Sequence, residues 1–254
     1  MPTLTVSLAG GLGNQLFQLA ALLHIGRKTR RNTYINSIKN PSPHSTTDYF
    51  DTIFKHFRHL HITFPIEFTQ SINEPAFNYN YLDWSSRLRF IQSPDLHGYF
   101  QNWRYVDPDF IQRLSLPNDV LTRYTGVEQG IFLHIRGGDY VDHPYHDLKL
   151  DGYYERAIAL FPEAHFFVVT NDVDYTLKRP FLKDIQYTLV LQPELDTLYL
   201  MSQCAGGICA NSSFSWWGAY LNPKRKIVMP DRWFSDANIH TEGYYFPGVI
   251  KCQV

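Results

Sequence analysis

The sequence predicts an α/β protein made of two halves, each carrying a parallel sheet. Three observations carry that expectation. The chain opens with a strand, a glycine turn, a helix and a strand; a second alternating series begins near residue 130; and the composition suits a packed core.

Residues 4–8 alternate Leu, Val and Leu with small polar side chains, the period of a strand. Ala9-Gly10-Gly11-Leu12-Gly13 then turns the chain. From Asn14 the apolar positions Leu16, Leu19, Ala20 and Leu23 keep helical spacing. Arg27, Lys28, Arg30 and Arg31 follow in a basic last turn, where the helix dipole favours cations. Residues 32–37 read as the next strand, completing a βαβ unit whose strands pair in parallel. Between Lys39 and Gln101 the pattern breaks down. Pro41, Pro43, Pro65, Pro75 and Pro94 interrupt aromatic and His-containing pieces, and short helices and loops are expected there. The second series places strands at 131–135, 164–170, 187–191, 205–210 and 226–229. Helices at 153–161, 195–202 and 214–221 separate them. The halves join around residues 117–129, which gives domains of 1–125 and 126–254.

Lys plus Arg number 23 and Asp plus Glu 24, a net charge of −1, which argues against a protein that binds nucleic acid by blanket phosphate neutralisation. The hydrophobic fraction of 44% with 19% charged residues excludes a disordered chain. Aromatics reach 16%, enough for extensive core and for surfaces that stack on sugars or bases. No apolar run approaches the ~18 residues of a membrane span, and Met1-Pro2-Thr3-Leu4 has no basic leader segment. A soluble, cytoplasmic chain is expected. Cys204, Cys209 and Cys252 are odd in number and lack a Cys-x-x-Cys pair, so they read as reduced core thiols rather than a disulfide frame or zinc site. Asn211-Ser212-Ser213 matches a glycosylation sequon, which means little without a leader.

Three stretches concentrate chemistry. The turn through Gly11, Gly13, Asn14 and Gln15 joins a strand to a helix start, where bare N–H groups suit phosphate or simply a tight turn. It offers only two of three dinucleotide-fold glycines, and Tyr34-Ile35-Asn36 lacks a ribose-binding acid, so a nicotinamide cofactor is disfavoured. His134-Ile135-Arg136-Gly137-Gly138-Asp139-Tyr140 follows an apolar strand; Arg136 there can fork onto a phosphate or pair with Asp139. Last come Asp196 and then Asn211-Ser212-Ser213-Phe214, where Ser212 and Ser213 precede a helix and can cap it or bind an anion. A carboxylate such as Asp196 suits guanine, whose N1–H and N2–H donors lie side by side.

Gly10 to Gln18, Gly98-Tyr99-Phe100-Gln101, His134 to Tyr140 and Asn211 to Asn222 occur in order along nearly the whole chain. Together they resemble the α-1,2-fucosyltransferases of glycosyltransferase family 11. The resemblance implies a GT-B-like fold, two Rossmann-like lobes facing a central cleft, with an N-terminal acceptor-side lobe and a C-terminal lobe for the GDP-sugar. It implies inverting transfer of L-fucose from GDP-fucose to a glycan hydroxyl, with no metal and no other cofactor. Arg136 would hold the diphosphate, His134 and Asp196 the guanine, Ser212 and Ser213 phosphate, and Asn14 would reach in from the N-terminal lobe. Gly11, Gly13, Gln15, Asn211 and Phe214 complete the donor set, and Asp139 is the candidate proton acceptor. The family usually carries a second Arg where this chain has Gly137, and Ser-Asp-Asp where it has Thr170-Asn171-Asp172. Transfer from another GDP-hexose is the alternative within the same class, and two other classes remain open. Asp172-Val173-Asp174 after a strand could hold a divalent cation for a metal-dependent glycosyltransferase, and the same fold could serve a non-catalytic nucleotide-sugar binder.

Overall fold

The computed structural model describes residues 2–39, 48–61, 69–76, 79–222 and 226–254. The pieces expected around Pro41, Pro43 and Pro65 lie outside the described residues. The chain divides into two compact units, the first formed by residues 1–115 and 240–245 and the second by 116–239 and 246–254. The boundary at 115 precedes the one expected at 125, and a short C-terminal segment returns to the first unit.

In the first unit β1 (Thr3–Ala9), α1 (Leu12–Thr29) and β2 (Asn32–Lys39) form the expected βαβ opening. Leu4, Val6 and Leu8 are fully buried, as are Leu12, Leu16 and Leu19 of α1. Each such side chain contributes about 1.5–3 kcal/mol by leaving water, which is what holds helix to sheet. β3 (Gln70–Asn73), α2 (Trp84–Arg87), β4 (Pro94–His97) and α3 (Pro108–Gln112) follow. The sheet order is β2-β1-β4-β3, all parallel. The chain thus runs outward on one side of β1 and resumes on the other, so the order reverses between β1 and β4.

The second unit carries β5 (Ile131–Ile135), α4 (Asp151–Ile158), β6 (His165–Thr170), α5 (Val173–Leu177) and β7 (Gln186–Val190). α6 (Glu194–Gln203), β8 (Gly206–Ile208), α7 (Ser213–Tyr220), β9 (Lys226–Pro230) and β10 (Ile250–Cys252) complete it. Its six parallel strands run β10-β9-β8-β5-β6-β7, so the reversal here lies between β5 and β8. Ile131, Leu133 and Ile135 bury one face of β5 with Phe166 and Val168 of β6 and Tyr153, Tyr154 and Ala157 of α4. The alternate residues Phe132 and His134 turn to the other face by the two-residue period of a strand. Tyr153 hydroxyl donates to the Cys209 carbonyl at 2.7 Å and Tyr154 hydroxyl to the His134 carbonyl at 2.9 Å, so α4 ties down the carboxyl ends of β8 and β5. β10 was not foreseen in the sequence. No helix among the described residues is long and apolar enough to cross a membrane.

Candidate functional site

In open parallel sheets ligands collect at the carboxyl ends of strands where the order reverses, because the connections on either side diverge and leave a crevice. In the second unit that place is set by the ends of β5 and β8. β5 delivers His134 and, one step beyond its end, Arg136. β8 leads through Asn211 into the start of α7.

Arg136 is largely covered, its side chain 16% exposed. Its Nη2 donates to Asp139 Oδ1 at 2.7 Å, and its guanidinium carbon stands 4.8 Å from the centre of the Tyr140 ring. Its Nε–H is buried with no partner. Asp139 thus orients the guanidinium. The loop that carries them is braced from α5: Asn171 Oδ1 accepts from Gly137 N at 2.9 Å, and Asp172 Oδ2 accepts from Gly138 N at 3.0 Å. Asp172 Oδ1 also caps α5, accepting from Tyr175 N at 3.0 Å. These contacts engage one carboxylate of the Asp-x-Asp triplet as a structural brace. They also explain the departure at Gly137: a Cβ there would stand 2.8 Å from Asp172 Cβ and from Tyr175 Cδ1, so a larger residue requires both to move.

His134 is buried, its ring edge-on to Phe214 at 5.9 Å, and its Nδ1 has no partner. Burial first, and the Arg136 charge second, push its imidazole down to about 3, so the ring stays neutral. Ser212 caps α7 by accepting from Phe214 N at 3.3 Å, and Ser213 is the first residue of that helix. Asn211 is spent on structure: its Nδ2 donates to the carbonyls of His146 and Trp233, each at 3.0 Å. Asp196, in the first turn of α6, pairs with Arg123 at 3.2 Å and is 13% exposed. That pairing was not foreseen, because Arg123 lies in a 3-10 segment, Asp119–Arg123, whose residues carry no pattern that places it beside α6.

A small, partly open pocket lies beside this loop and is lined by Arg136, Tyr140, His146, Lys149, Tyr175 and Asn211. His146 escaped the sequence reading. It stacks on Tyr140 at 4.7 Å, and its Nδ1 is buried with no partner. Burial, then the His143 charge, lowers its pKa.

The first unit carries the remaining candidates at its own reversal, between β1 and β4. Gly10 adopts φ +80°, which a side chain resists, and a Cβ there would meet Asn14 Nδ2 at 2.7 Å. The Gly11 carbonyl accepts from Asn14 N at 3.0 Å and Gln15 N at 3.1 Å, and Gly13 is buried in the first turn of α1. The paired amides brace this turn. Gln15 Nε2 donates to the Gly10 carbonyl at 2.8 Å, and Asn14 Oδ1 accepts from Gln101 Nε2 at 2.6 Å. Gln18 joins in: its Oε1 accepts from Ala9 N and its Nε2 donates to the Gly98 carbonyl, both at 2.9 Å, locking the ends of β1 and β4 together.

A family model described as Glycosyl transferase family 11 matches residues 2–250. The O-antigen biosynthesis glycosyltransferase WbnK of Escherichia coli is 29% identical over 288 aligned positions, covering 91% of this chain and 95% of that protein. An alpha-1,2-colitosyltransferase of Escherichia coli is 27% identical over 278 positions, covering 95% and 96%. Among solved structures, the fucosyltransferase NodZ from Bradyrhizobium matches with a TM-score of 0.50 at 13% identity, over 86% of this chain and 92% of that one. That likeness concerns the fold, a GT-B-type pair of parallel-sheet units.

Proposed function

The chain belongs to glycosyltransferase family 11, and from that membership we propose that it moves L-fucose from GDP-fucose onto a glycan hydroxyl with inversion at the anomeric carbon. The observation that carries the reading is Arg136, fixed by Asp139 at the sheet reversal on which the start of α7 also converges. As the bond from the anomeric carbon to the β-phosphate oxygen breaks, negative charge grows on the diphosphate. A preset guanidinium with helix-start N–H groups stabilises that charge more than it stabilises the bound donor. Ser212 and Ser213 serve the phosphates by the same reasoning.

The guanine belongs, on this reading, to neutral His134 with Phe214 against it and to Asp196. The Arg123 pair draws on Asp196 Oδ2, so the base shares a carboxylate that is already held in place. Gly11, Gly13, Asn14 and Gln15 act by shaping the first unit's turn rather than by offering spare amides. Asp139 is a positioning residue, since its carboxylate faces the guanidinium it orients. The named activity of the colitosyltransferase relative supports a second donor, the 3-deoxy analogue of fucose.

Arg136→Ala is expected to lower kcat roughly 10²-fold or more, the scale of removing one preorganised donor. Arg136→Lys should recover little, because an ammonium cannot fork onto two oxygens. A variant with normal kcat and only a raised KM would show that Arg136 binds without stabilising the transition state. Running fucosyl, colitosyl and mannosyl GDP donors against an acceptor array identifies the sugar moved.

A further inference from the structure

We infer that His146, acting through Tyr140, sets the plane of the Arg136 guanidinium, and that only its neutral ring does so. The inference rests on the transfer reading above and adds the residue that positions that reading's phosphate-binding group. All three residues, with Asn211, line one pocket of the second unit.

Two contacts hold the guanidinium, and they restrain it differently. Asp139 Oδ1 accepts from Nη2 at 2.7 Å, which fixes one edge of a planar group. Rotation about that bond remains open, and the Tyr140 ring, 4.8 Å from the guanidinium carbon, closes it by covering a face. The direction of the N–H groups left for phosphate therefore depends on where Tyr140 stands. Tyr140 ends a three-residue 3-10 segment, Gly138–Tyr140, which is too short to fix a side chain unaided. His146 supplies the support: its ring stacks on Tyr140 with centres 4.7 Å apart and planes 16° from parallel. His146 is anchored in turn by Asn211, whose Nδ2 donates to its carbonyl at 3.0 Å, and by the Phe234 ring at 5.5 Å. Asn211 follows β8, so the stack ties the end of that strand to the loop after β5.

The charge on His146 decides whether the stack holds. Its Nδ1 is buried with no partner, an arrangement that suits a bare lone pair better than an added N–H. Facing it are His143, 4.6 Å away between ring centres, Arg136, and the Asp139 carboxylate that Arg136 engages. Elsewhere on the pocket wall Lys149 pairs with Asp147 at 2.7 Å, and burial raises the Tyr154 and Tyr175 hydroxyls so that both stay neutral. A proton on His146 sets a second cation against the ring that already carries Arg136, and repulsion drives the stack apart. Burial, then the His143 charge, puts that protonation below the ordinary 6.5.

The test measures kcat, KM for GDP-fucose and melting temperature from pH 4.5 to 8 in wild type, His146→Phe, His146→Ala and Tyr140→Leu. At pH 7.5 His146→Ala should lose roughly 10–10²-fold in kcat, the scale of a misplaced group. His146→Phe keeps a flat ring against Tyr140 and should recover most of that loss. Its kcat should fall less than the wild type's between pH 6.5 and 5, because no nitrogen remains to take a proton. A purely packing role would leave that acid limb unchanged. Tyr140→Leu should match His146→Ala, and it stands in if His146→Ala does not fold. With a transferring wild type, either of two results overturns the inference alone: a folded His146→Ala or Tyr140→Leu within about threefold in kcat, or a His146→Phe that keeps the wild-type acid limb. A wild type that transfers to no acceptor brings down the transfer reading, and the inference with it.

Discussion

Glu74 is half-buried in the first unit and His134 buried in the second, and their protons pull stability in opposite directions. His134 falls from 6.5 to about 3 on folding, by burial and then the Arg136 charge. Below pH 6.5 the unfolded chain takes up a proton that the folded chain refuses, so this contribution is full above 6.5 and is lost on acidification towards 3. Glu74 rises from 4.5 to about 7, because desolvation outweighs the N–H bonds from Phe100 and Tyr99. Its contribution is full below 4.5 and is lost as pH rises through 7. Between 4.5 and 6.5 the slopes oppose, each at most about 1.4 kcal/mol per pH unit. His134→Gln should therefore leave a melting temperature that declines with rising pH in that window, and Glu74→Gln one that climbs more steeply than in the wild type. Melting curves from pH 4 to 8 measure both slopes. A Gln at 74 can still accept the two backbone N–H groups. Arg136 was legible as a candidate because it follows an apolar strand, where it can meet a phosphate or pair with Asp139, and the pair is present. The chain of contacts from Thr5 through Asp95 to His97 was not, since Thr5 lies 90 residues from Asp95.

Short elements show where sequence patterns mislead. Asp172-Val173-Asp174 reads as a metal clamp or a helix cap, and in the structure the Asp172 carboxylate accepts from two backbone N–H groups, one of them at the start of α5. Losing the cap through Asp172→Ala should cost about 1 kcal/mol. It should also lower kcat, because the same carboxylate braces the Arg136 loop. Asp174→Asn should stay within about 0.5 kcal/mol of wild type, and activity in excess EDTA should equal that in buffer. Denaturant titrations with matched kinetics check each. The long elements were legible because α1 and β5 bury continuous apolar patterns. β3 and β4 were not, since each is four residues long and largely polar. In β4 the polar pattern is itself informative: Asp95 and His97 occupy positions that an ordinary central strand gives to Val or Ile.

At the scale of the molecule, two βα series in succession conveyed the architecture, but a linear reading could not show that the chain crosses back. Residues 240–245 belong to the first unit: Tyr244 hydroxyl donates to Gln101 Oε1, and Tyr79 N donates to the His240 carbonyl at 3.1 Å. Gly243 is packed so closely that a Cβ would stand 1.9 Å from the Tyr79 carbonyl oxygen. β10 meanwhile closes the edge of the second sheet, and the Gln253 carbonyl accepts from Arg156 Nη2 at 2.8 Å. Truncation after Ile239 should therefore weaken both units. Hydrogen exchange should speed up at Gln101 and Tyr79 as well as in β9, although every strand of the first sheet is still present.

The same return segment bears on synthesis. Residue 240 emerges from the ribosome 125 residues after residue 115, a delay of roughly 6–25 s at typical elongation rates. Throughout that interval the nascent N-terminal sheet lacks the Tyr244 partner of Gln101. Tyr79 N likewise lacks the His240 carbonyl, so the first unit completes its packing only after most of the second has been made.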